Sequence, residues 1–267
     1  VKEHANEPAV SDQNSSFTNN ELLNFAKCVA ANLQKKGVKY GSRVIVEIPR
    51  SKEYVGCLLG CWIMGAVSIP LSDDYPEERL NYIKKDSQYE LSIDDSFIAS
   101  MDMSLSVEPI ITDMEAEGVV IYTSGSTGNP KGVVLDFYSM NAVASRNAVH
   151  DKSEKTERNN VVGLVAPFTF IVGISHFIAA LALSKHMFIV PDEIRKDPYK
   201  LAKYYDDNNI QASFVSPRLV DFMLKNNKSL KGVLPKVYAN PDLDKKVLGD
   251  VVDLFTNNIH MDGSEAD

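Results

Sequence analysis

The sequence predicts an α/β fold in which mostly parallel sheets are flanked by helices. Short apolar segments with strand character alternate with segments of helical length along most of the 267 residues. Helix-capping and turn signals separate neighbouring segments. Because strands that alternate with helices are joined by crossover connections, we expect the strands to pair in parallel and the helices to cover the sheet faces.

Composition indicates a globular protein with ample apolar material for a core. The chain is 44% hydrophobic and 24% charged, and its formal net charge is -8. With a pI near 5.2 and no basic run, a nucleic-acid or anionic membrane partner is not expected. The three cysteines are too few for a disulfide framework and lack the spacing of metal-binding pairs. We therefore expect a cytoplasmic location, where thiols stay reduced.

Capping and turn residues define the first predicted elements. Thr18 and Glu21 form a capping box that begins an amphipathic helix, and Gly37 is expected to end it. The next predicted elements are a strand at Arg43–Ile48, an apolar helix at Ser51–Met64 and a second strand at Ala66–Leu71. A helix with Pro76 at its first position follows them. The polar stretch Ser87–Glu117 is expected to be an irregular surface connection with one short strand at Glu90–Ile93.

The apolar run from Val55 to Leu71 could imitate a membrane span. It carries no charge, but it is only marginally long enough to cross a bilayer and is interrupted by glycines and by Pro70. We predict a buried helix followed by a buried strand.

A second alternating series occupies the rest of the chain. The predicted helices are Tyr138–Val149, Ile174–Leu183, Tyr199–Asn208, Pro217–Leu224 and Lys245–Phe255. The predicted strands are Val161–Val165, Met187–Val190, Ala212–Val215, Val233–Tyr238 and Asn257–Met261. These elements continue the strand and helix rhythm of the first series.

A loop rich in glycine and hydroxyl groups follows a short apolar strand at 118–121. Residues 121 to 132 read Ile-Tyr-Thr-Ser-Gly-Ser-Thr-Gly-Asn-Pro-Lys-Gly. Glycines let backbone N–H groups turn towards an anion, hydroxyls add donors, and Lys131 adds a compact positive charge. The spacing does not fit the P-loop of nucleoside triphosphatases, and the chain after Gly132 is expected to continue extended. We predict a polyphosphate-binding loop, the alternative being an unspecialised surface loop.

Two motifs in this chain resemble those of the adenylate-forming superfamily. The segment Tyr-Thr-Ser-Gly-Ser-Thr-Gly-x-Pro-Lys-Gly at 122–132 is similar to its phosphate-binding signature. The segments 64–71 and 75–80 are similar to a second motif of the adenylation domains of nonribosomal peptide synthetases, which we interpret as architectural. The resemblance implies that residues 1–267 are the N-terminal portion of an AMP-binding adenylation domain, ending before the mobile C-terminal domain. Such a fragment is expected to bind nucleotide weakly and not to turn over.

The resemblance also implies a reaction and the residues that serve it. In this family a carboxylate attacks the α-phosphorus of ATP, which gives an acyl-adenylate and pyrophosphate. Lys131 and Thr127 are the implied catalytic residues. The implied nucleotide-binding residues are Thr123, Ser124, Gly125, Ser126, Thr127, Gly128, Lys131, Gly132 and Ser264. Glu265 is the implied ligand of Mg²⁺, although Met261 and Asp262 depart from the family's Tyr-Gly in the same motif.

The expected acid-binding residues are Phe170, Ile171, Val172 and Ser175. Peptide-synthetase domains typically carry Phe-Asp where this chain has Phe170-Ile171, and that Asp pairs with the α-ammonium group of an amino acid. An isoleucine cannot form this pair, so we expect an acid without an α-amino group. A one-residue misalignment is the alternative explanation.

The overall expectation is an enzyme that activates a carboxylic acid for transfer to the phosphopantetheine thiol of a carrier-protein domain. Two alternatives stay open. One is an acyl-CoA synthetase that uses free coenzyme A, and the other is a degenerate nucleotide-binding or scaffold module. Three departures from the family pattern favour the degenerate module: Met261, Asp262 and Phe137, the last standing where many relatives carry a histidine.

Overall fold

The computed structural model describes residues 4–72, 74–110, 113–124, 129–142, 161–210, 212–213 and 236–237. The strands are β1 (Pro8–Ser11), β2 (Ser16–Thr18), β3 (Arg43–Val46), β4 (Val67–Pro70), β5 (Leu91–Ile93), β6 (Glu117–Thr123), β7 (Lys131–Asp136), β8 (Val161–Leu164), β9 (His186–Ile189), β10 (Ala212–Ser213) and β11 (Lys236–Val237). The helices are α1 (Asn19–Lys35), α2 (Lys52–Ile63), α3 (Glu77–Asp86), α4 (Asp95–Ala99), α5 (137–142), α6 (Ile171–Ala182), α7 (Asp192–Arg195) and α8 (Pro198–Asp207).

These strands form two sheets, and each sheet is mostly parallel. The five-stranded sheet has the order β5-β3-β4-β6-β7, and the six-stranded sheet has the order β11-β10-β8-β9-β1-β2. Only the terminal pairs β6–β7 and β1–β2 are antiparallel among the described strands. The predicted α/β class with mostly parallel sheets flanked by helices is confirmed.

Two hydrophobic clusters hold the layers together. The larger cluster joins α1, α2 and α6 to both sheets, with fully buried members such as Val29, Leu58 and Phe177. The smaller cluster lies between α3 and the five-stranded sheet, where Ile83 meets Tyr122 and its neighbours. Each sheet contributes side chains to the larger cluster, so both sheets shield the apolar faces of α1, α2 and α6 from water.

Local signals placed several helices where they were predicted. Thr18 Oγ1 accepts a hydrogen bond from the Glu21 backbone N–H at 3.2 Å, and the Glu21 carboxylate accepts one from the Thr18 N–H at 2.8 Å. Gly37, just beyond the end of α1, has a φ of 92° that other residues rarely adopt. Ser51 caps α2 by accepting a hydrogen bond from the Tyr54 backbone N–H at 3.3 Å. The capping box, the helix end and the apolar helix are therefore confirmed.

Other elements differ from the prediction. Strands β1 and β2 were not predicted, because β1 is only four residues long and is stabilised by pairing with distant β9. Helix α4 interrupts a stretch predicted to be irregular, and its start is capped by Asp94, which accepts from the Phe97 N–H at 2.7 Å. Pro76 is the residue before α3 and not its first residue. The elements predicted at 217–224, 245–255 and 257–261 lie outside the described residues.

The apolar run from Val55 to Leu71 folds as the buried part of α2 followed by buried β4, as predicted. In the part of the chain that the structure describes, no helix combines the length and apolar composition needed to cross a bilayer.

Candidate functional site

The predicted phosphate loop, residues 123–131, connects the two strands of the β6–β7 hairpin. Thr123 pairs with Lys131 in the last register position of this hairpin. Thr123, Ser124, Lys131 and Gly132 are all exposed, so the described ends of the loop face solvent. Gly125, Ser126, Thr127 and Gly128 lie outside the described residues. The hairpin thus brings together the hydroxyl groups at the start of the loop and the lysine at its end.

The position of this hairpin in the sheet suits ligand binding. Strands β3, β4 and β6 are parallel, so Thr123 lies at the edge where the carboxyl ends of these strands meet. Ligands of open α/β sheets bind beyond this edge. Lys131 is exposed, and none of the ion pairs between described residues includes it.

Tyr122, the residue directly before the loop, is hydrogen-bonded to helix α3. Its side chain is buried, and its hydroxyl donates a hydrogen bond to Asp86 Oδ2 at 2.7 Å. Arg79 Nη2 donates to the Tyr122 carbonyl at 3.3 Å. Burial, together with the Asp86 carboxylate, raises the pKa of Tyr122, so the phenol is a neutral donor at physiological pH. Sequence reasoning treated Arg79 as part of an architectural motif and did not single out Asp86.

The predicted acid-binding residues lie at the start of α6, which follows β8 of the six-stranded sheet. Phe170 is 57% exposed, Ile171 44% and Val172 47%. The Ser175 hydroxyl donates to the Ile171 carbonyl at 2.7 Å, so it is engaged within the helix. A Cβ atom on Gly173 would lie 2.1 Å from the Pro167 carbonyl oxygen, and only glycine allows this close approach. Three apolar side chains therefore project from a helix start whose position is fixed by backbone packing.

Other residues named from the sequence have different settings. His176 is buried in α6, and burial lowers its pKa to about 3, so its imidazole is neutral at physiological pH. Phe137 begins α5 and is partly buried. Met261, Asp262, Ser264 and Glu265 lie outside the described residues.

A family model described as AMP-binding enzyme matches residues 1–257. The chain belongs to this family. The match includes both strands of the β6–β7 hairpin and the start of α6. The family assignment from the phosphate-binding signature and the second motif is confirmed.

Curated relatives include large peptide synthetases. Bacitracin synthase 1 of Bacillus licheniformis is 32% identical over 243 residues, which cover 83% of this chain and 4% of the relative. Surfactin synthase subunit 2 of Bacillus subtilis (strain 168) is 28% identical over 257 residues, which cover 88% of this chain and 7% of the relative. The chain therefore spans less than a tenth of the length of these relatives.

Solved structures share the fold of this AMP-binding chain. The Klebsiella oxytoca NpsA N-terminal subdomain in complex with 3-hydroxyanthranilyl-AMSN matches with a TM-score of 0.84 at 20% identity, over 97% of this chain and 69% of that one. VinN matches with a TM-score of 0.80 at 20% identity, over 97% of this chain and 70% of that one. The fold is that of the N-terminal subdomain of adenylate-forming enzymes.

The described residues of the site fit the phosphates of a nucleotide. Exposed hydroxyls on Thr123 and Ser124 supply donors, and the amine of Lys131 supplies positive charge. In the described ranges, no group of three or more His, Cys, Asp or Glu side chains is placed to hold a metal ion by itself. Nucleotide-bound Mg²⁺ needs fewer protein ligands, because phosphates and water complete its shell.

Proposed function

We propose that this chain is part of an adenylation domain that binds Mg-ATP and a carboxylic acid and forms an acyl-adenylate. In this reaction a bond forms between a carboxylate oxygen and the α-phosphorus, the bond from the α-phosphorus to the bridging oxygen breaks, and pyrophosphate leaves. The observation that carries the proposal is the hairpin closed by Thr123 and Lys131 at the carboxyl edge of the sheet.

The charges of the reactants explain why such a loop is needed. ATP and a carboxylate are both anions and repel each other, and negative charge moves onto the leaving pyrophosphate during the reaction. Fixed donors and a cation placed at that charge stabilise the transition state. We assign this role to Lys131 and Thr127, with the remaining donors of the phosphate loop holding the β- and γ-phosphates. Ser264 and Glu265 are proposed to contact the nucleotide and Mg²⁺, which supplies further positive charge when bound.

The start of α6 favours an acid without an α-amino group. Residues 170, 171 and 172 are Phe, Ile and Val, so a shift of one position in the alignment does not restore a carboxylate. An ammonium group buried without a partner would cost several kcal/mol. NpsA was solved with 3-hydroxybenzoyl-AMSN, whose acyl group lacks an α-amino group, and VinN was solved with L-aspartate. Since proteins of this fold take both kinds of acid, the apolar residue at 171 supports the first kind here.

The proposed acceptor is the phosphopantetheine thiol of a carrier-protein domain. Similarity to bacitracin and surfactin synthases supports this acceptor over free coenzyme A. The proposal places the reaction in the cytoplasm, where ATP and reduced thiols are available. A degenerate binding module is the second candidate, and the replacement of histidine by Phe137 supports it.

Calorimetry with Mg-ATP tests the proposed site. Wild-type protein is expected to bind Mg-ATP, and Lys131→Ala is expected to weaken binding by about tenfold or more, because the loop loses its cation. The matched control is Lys200→Ala, which removes an exposed lysine from α8 and should leave the affinity unchanged. Equal binding by wild type and Lys131→Ala would contradict the assignment of the loop to phosphates.

A further inference from the structure

We propose that Arg79 and Asp86 of α3 are positioning residues that hold the two ends of the phosphate loop, at Thr123 and Lys131, in place through Tyr122. Tyr122 is the residue directly before the loop. This inference rests on the proposed function, because the loop is taken to bind the phosphates of ATP. It adds a helix outside the loop to the machinery that makes phosphate binding possible.

Helix α3 holds Tyr122 at two points. Arg79 Nη2 donates to the Tyr122 carbonyl at 3.3 Å, and the Tyr122 hydroxyl donates to Asp86 Oδ2 at 2.7 Å. Arg79 and Asp86 are seven residues apart, so they lie on the same face of the helix, two turns from each other. One bond restrains the backbone of Tyr122 and the other restrains its ring, which fixes both the position and the orientation of the residue.

The ring of Tyr122 also contacts the strand that leaves the loop. Tyr122 pairs with Gly132 in the hairpin register. A Cβ atom on Gly132 would lie 3.2 Å from Tyr122 Cζ and 3.1 Å from Val120 Cγ1, so the ring lies across the glycine. Tyr122 therefore touches both chain segments that bound the loop, and α3 can restrain the loop at both ends through this one residue.

Arg79 is itself held in place. Its guanidinium carbon lies 4.1 Å from the centroid of the Tyr75 ring, a cation–π contact within α3 and the turn before it. Its Nε is buried and has no hydrogen-bond partner in the described structure. A buried donor without an acceptor costs free energy, and native proteins tolerate few of them. Such a cost next to the phosphate loop is consistent with a residue kept for function.

A restrained loop binds phosphate more tightly than a mobile one. Donors that are already arranged need not lose conformational freedom when the ligand arrives. Loss of the α3 contacts should therefore weaken binding of the phosphates of ATP, while contacts to the nucleoside stay as they were. This difference separates a positioning role from a general role in stability, which would weaken all ligands together.

The test compares ligand affinities of paired variants by calorimetry. Tyr122→Phe and Asp86→Leu each remove the hydroxyl–carboxylate bond, and we expect about a tenfold loss of Mg-ATP affinity with AMP affinity within about twofold of wild type. Asp86→Asn keeps an acceptor oxygen for the Tyr122 hydroxyl and should restore most of the Mg-ATP affinity. The matched control is Glu78→Gln, which changes an exposed side chain in the first turn of the same helix. Equal losses for Mg-ATP and AMP would overturn the positioning role.

Hydrogen exchange gives a second readout that needs no nucleotide. In Asp86→Leu we expect faster exchange at the amides of Thr123, Ser124 and Lys131 and unchanged exchange in β3 and β4. Unchanged exchange at the loop ends would overturn the inference even if ATP binds. If wild type fails to bind Mg-ATP, the proposed function fails, whereas the exchange comparison still decides whether α3 restrains the loop. The Asp86 variants are expected to fold because this residue is exposed at the end of α3, and Tyr122→Phe is expected to fold because it keeps the buried ring and removes only a hydroxyl.

Discussion

The guanidinium carbon of Arg50 lies 4.8 Å from the centroid of the Phe168 ring. Arg50 also donates hydrogen bonds to the carbonyls of Leu164, Ala166 and Val190. Arg50 follows β3 of the five-stranded sheet, and the three carbonyls follow or end strands of the six-stranded sheet. Burial lowers the pKa of Arg50 to about 10, which still leaves it charged at neutral pH. One arginine thus joins the two sheets.

Replacement of this arginine should destabilise the fold. Arg50→Met keeps much of the apolar stem but removes the arginine donor from three carbonyls. The Leu164 carbonyl keeps its bond from the Val190 N–H, whereas those of Ala166 and Val190 lose the arginine bond, so we expect a loss of about 2–4 kcal/mol in the free energy of unfolding. Urea titration at 25 °C measures this loss, with Lys200→Ala as a surface control. A change below about 0.5 kcal/mol would show that the carbonyls find other donors.

Gly173 and Gly37 are required for different reasons, the first for steric space and the second for its backbone φ. Gly173→Ala should cost about 3 kcal/mol or more, because the new methyl group would meet the Pro167 carbonyl at 2.1 Å and the backbone must move. Gly37→Ala has open space around it, so only its φ of 92° opposes the substitution, and a loss of about 1 kcal/mol is expected. In thermal unfolding, the midpoint temperature of Gly37→Ala should be higher than that of Gly173→Ala. The reverse order would contradict the close approach at α6.

Buried His176 makes stability depend on pH. Its pKa is about 3 in the folded protein and near 6.5 in an unfolded chain, so the unfolded state binds more protons between these values. The contribution of His176 to stability is therefore fully present above pH 6.5 and is lost as the pH falls towards 3. We expect His176→Gln to reduce the loss of stability between pH 7 and pH 4 by a few kcal/mol at most. Equal slopes for wild type and variant in urea titrations at several pH values would contradict this expectation.

The residue at position 171 should determine which acids bind. Ile171→Asp is expected to shift preference from aryl-sulfamoyl adenosine analogues towards aminoacyl-sulfamoyl adenosine analogues by about tenfold or more, since it supplies the missing partner for an ammonium group. Thermal-shift titrations with a hydroxybenzoyl and a phenylalanyl analogue measure the change without turnover. Lys200→Ala serves as the control, because it changes an exposed lysine of α8 outside the acid-binding residues. Preference of the wild type for the phenylalanyl analogue would refute the proposed acid class.

Much of the candidate site could be predicted because its residues are contiguous. Five hydroxyl-bearing residues lie at 122–124, 126 and 127, and a lysine follows at 131, so the donors and the charge are visible along the chain. The contacts of Tyr122 with Arg79 and Asp86 span 43 and 36 residues, and no periodic pattern connects them. The tertiary structure is needed to show that α3 belongs to the site.

In the fold, too, local features could be predicted from the sequence, whereas contacts between distant residues could not. Caps such as Thr18 with Glu21, helix ends such as Gly37 and the alternation of strands with helices depend on neighbours within about four residues, and the sequence alone determined them. Pairing of β1 with β9, in which the Ser11 hydroxyl lies 2.8 Å from His186 Nε2 across 175 residues, was decided only by the tertiary structure. The bonds of Arg50 to carbonyls more than a hundred residues away belong to the same class. Local patterns fix conformation through short-range hydrogen bonds and periodic burial, whereas distant partners are selected by the shared core that both sheets bury.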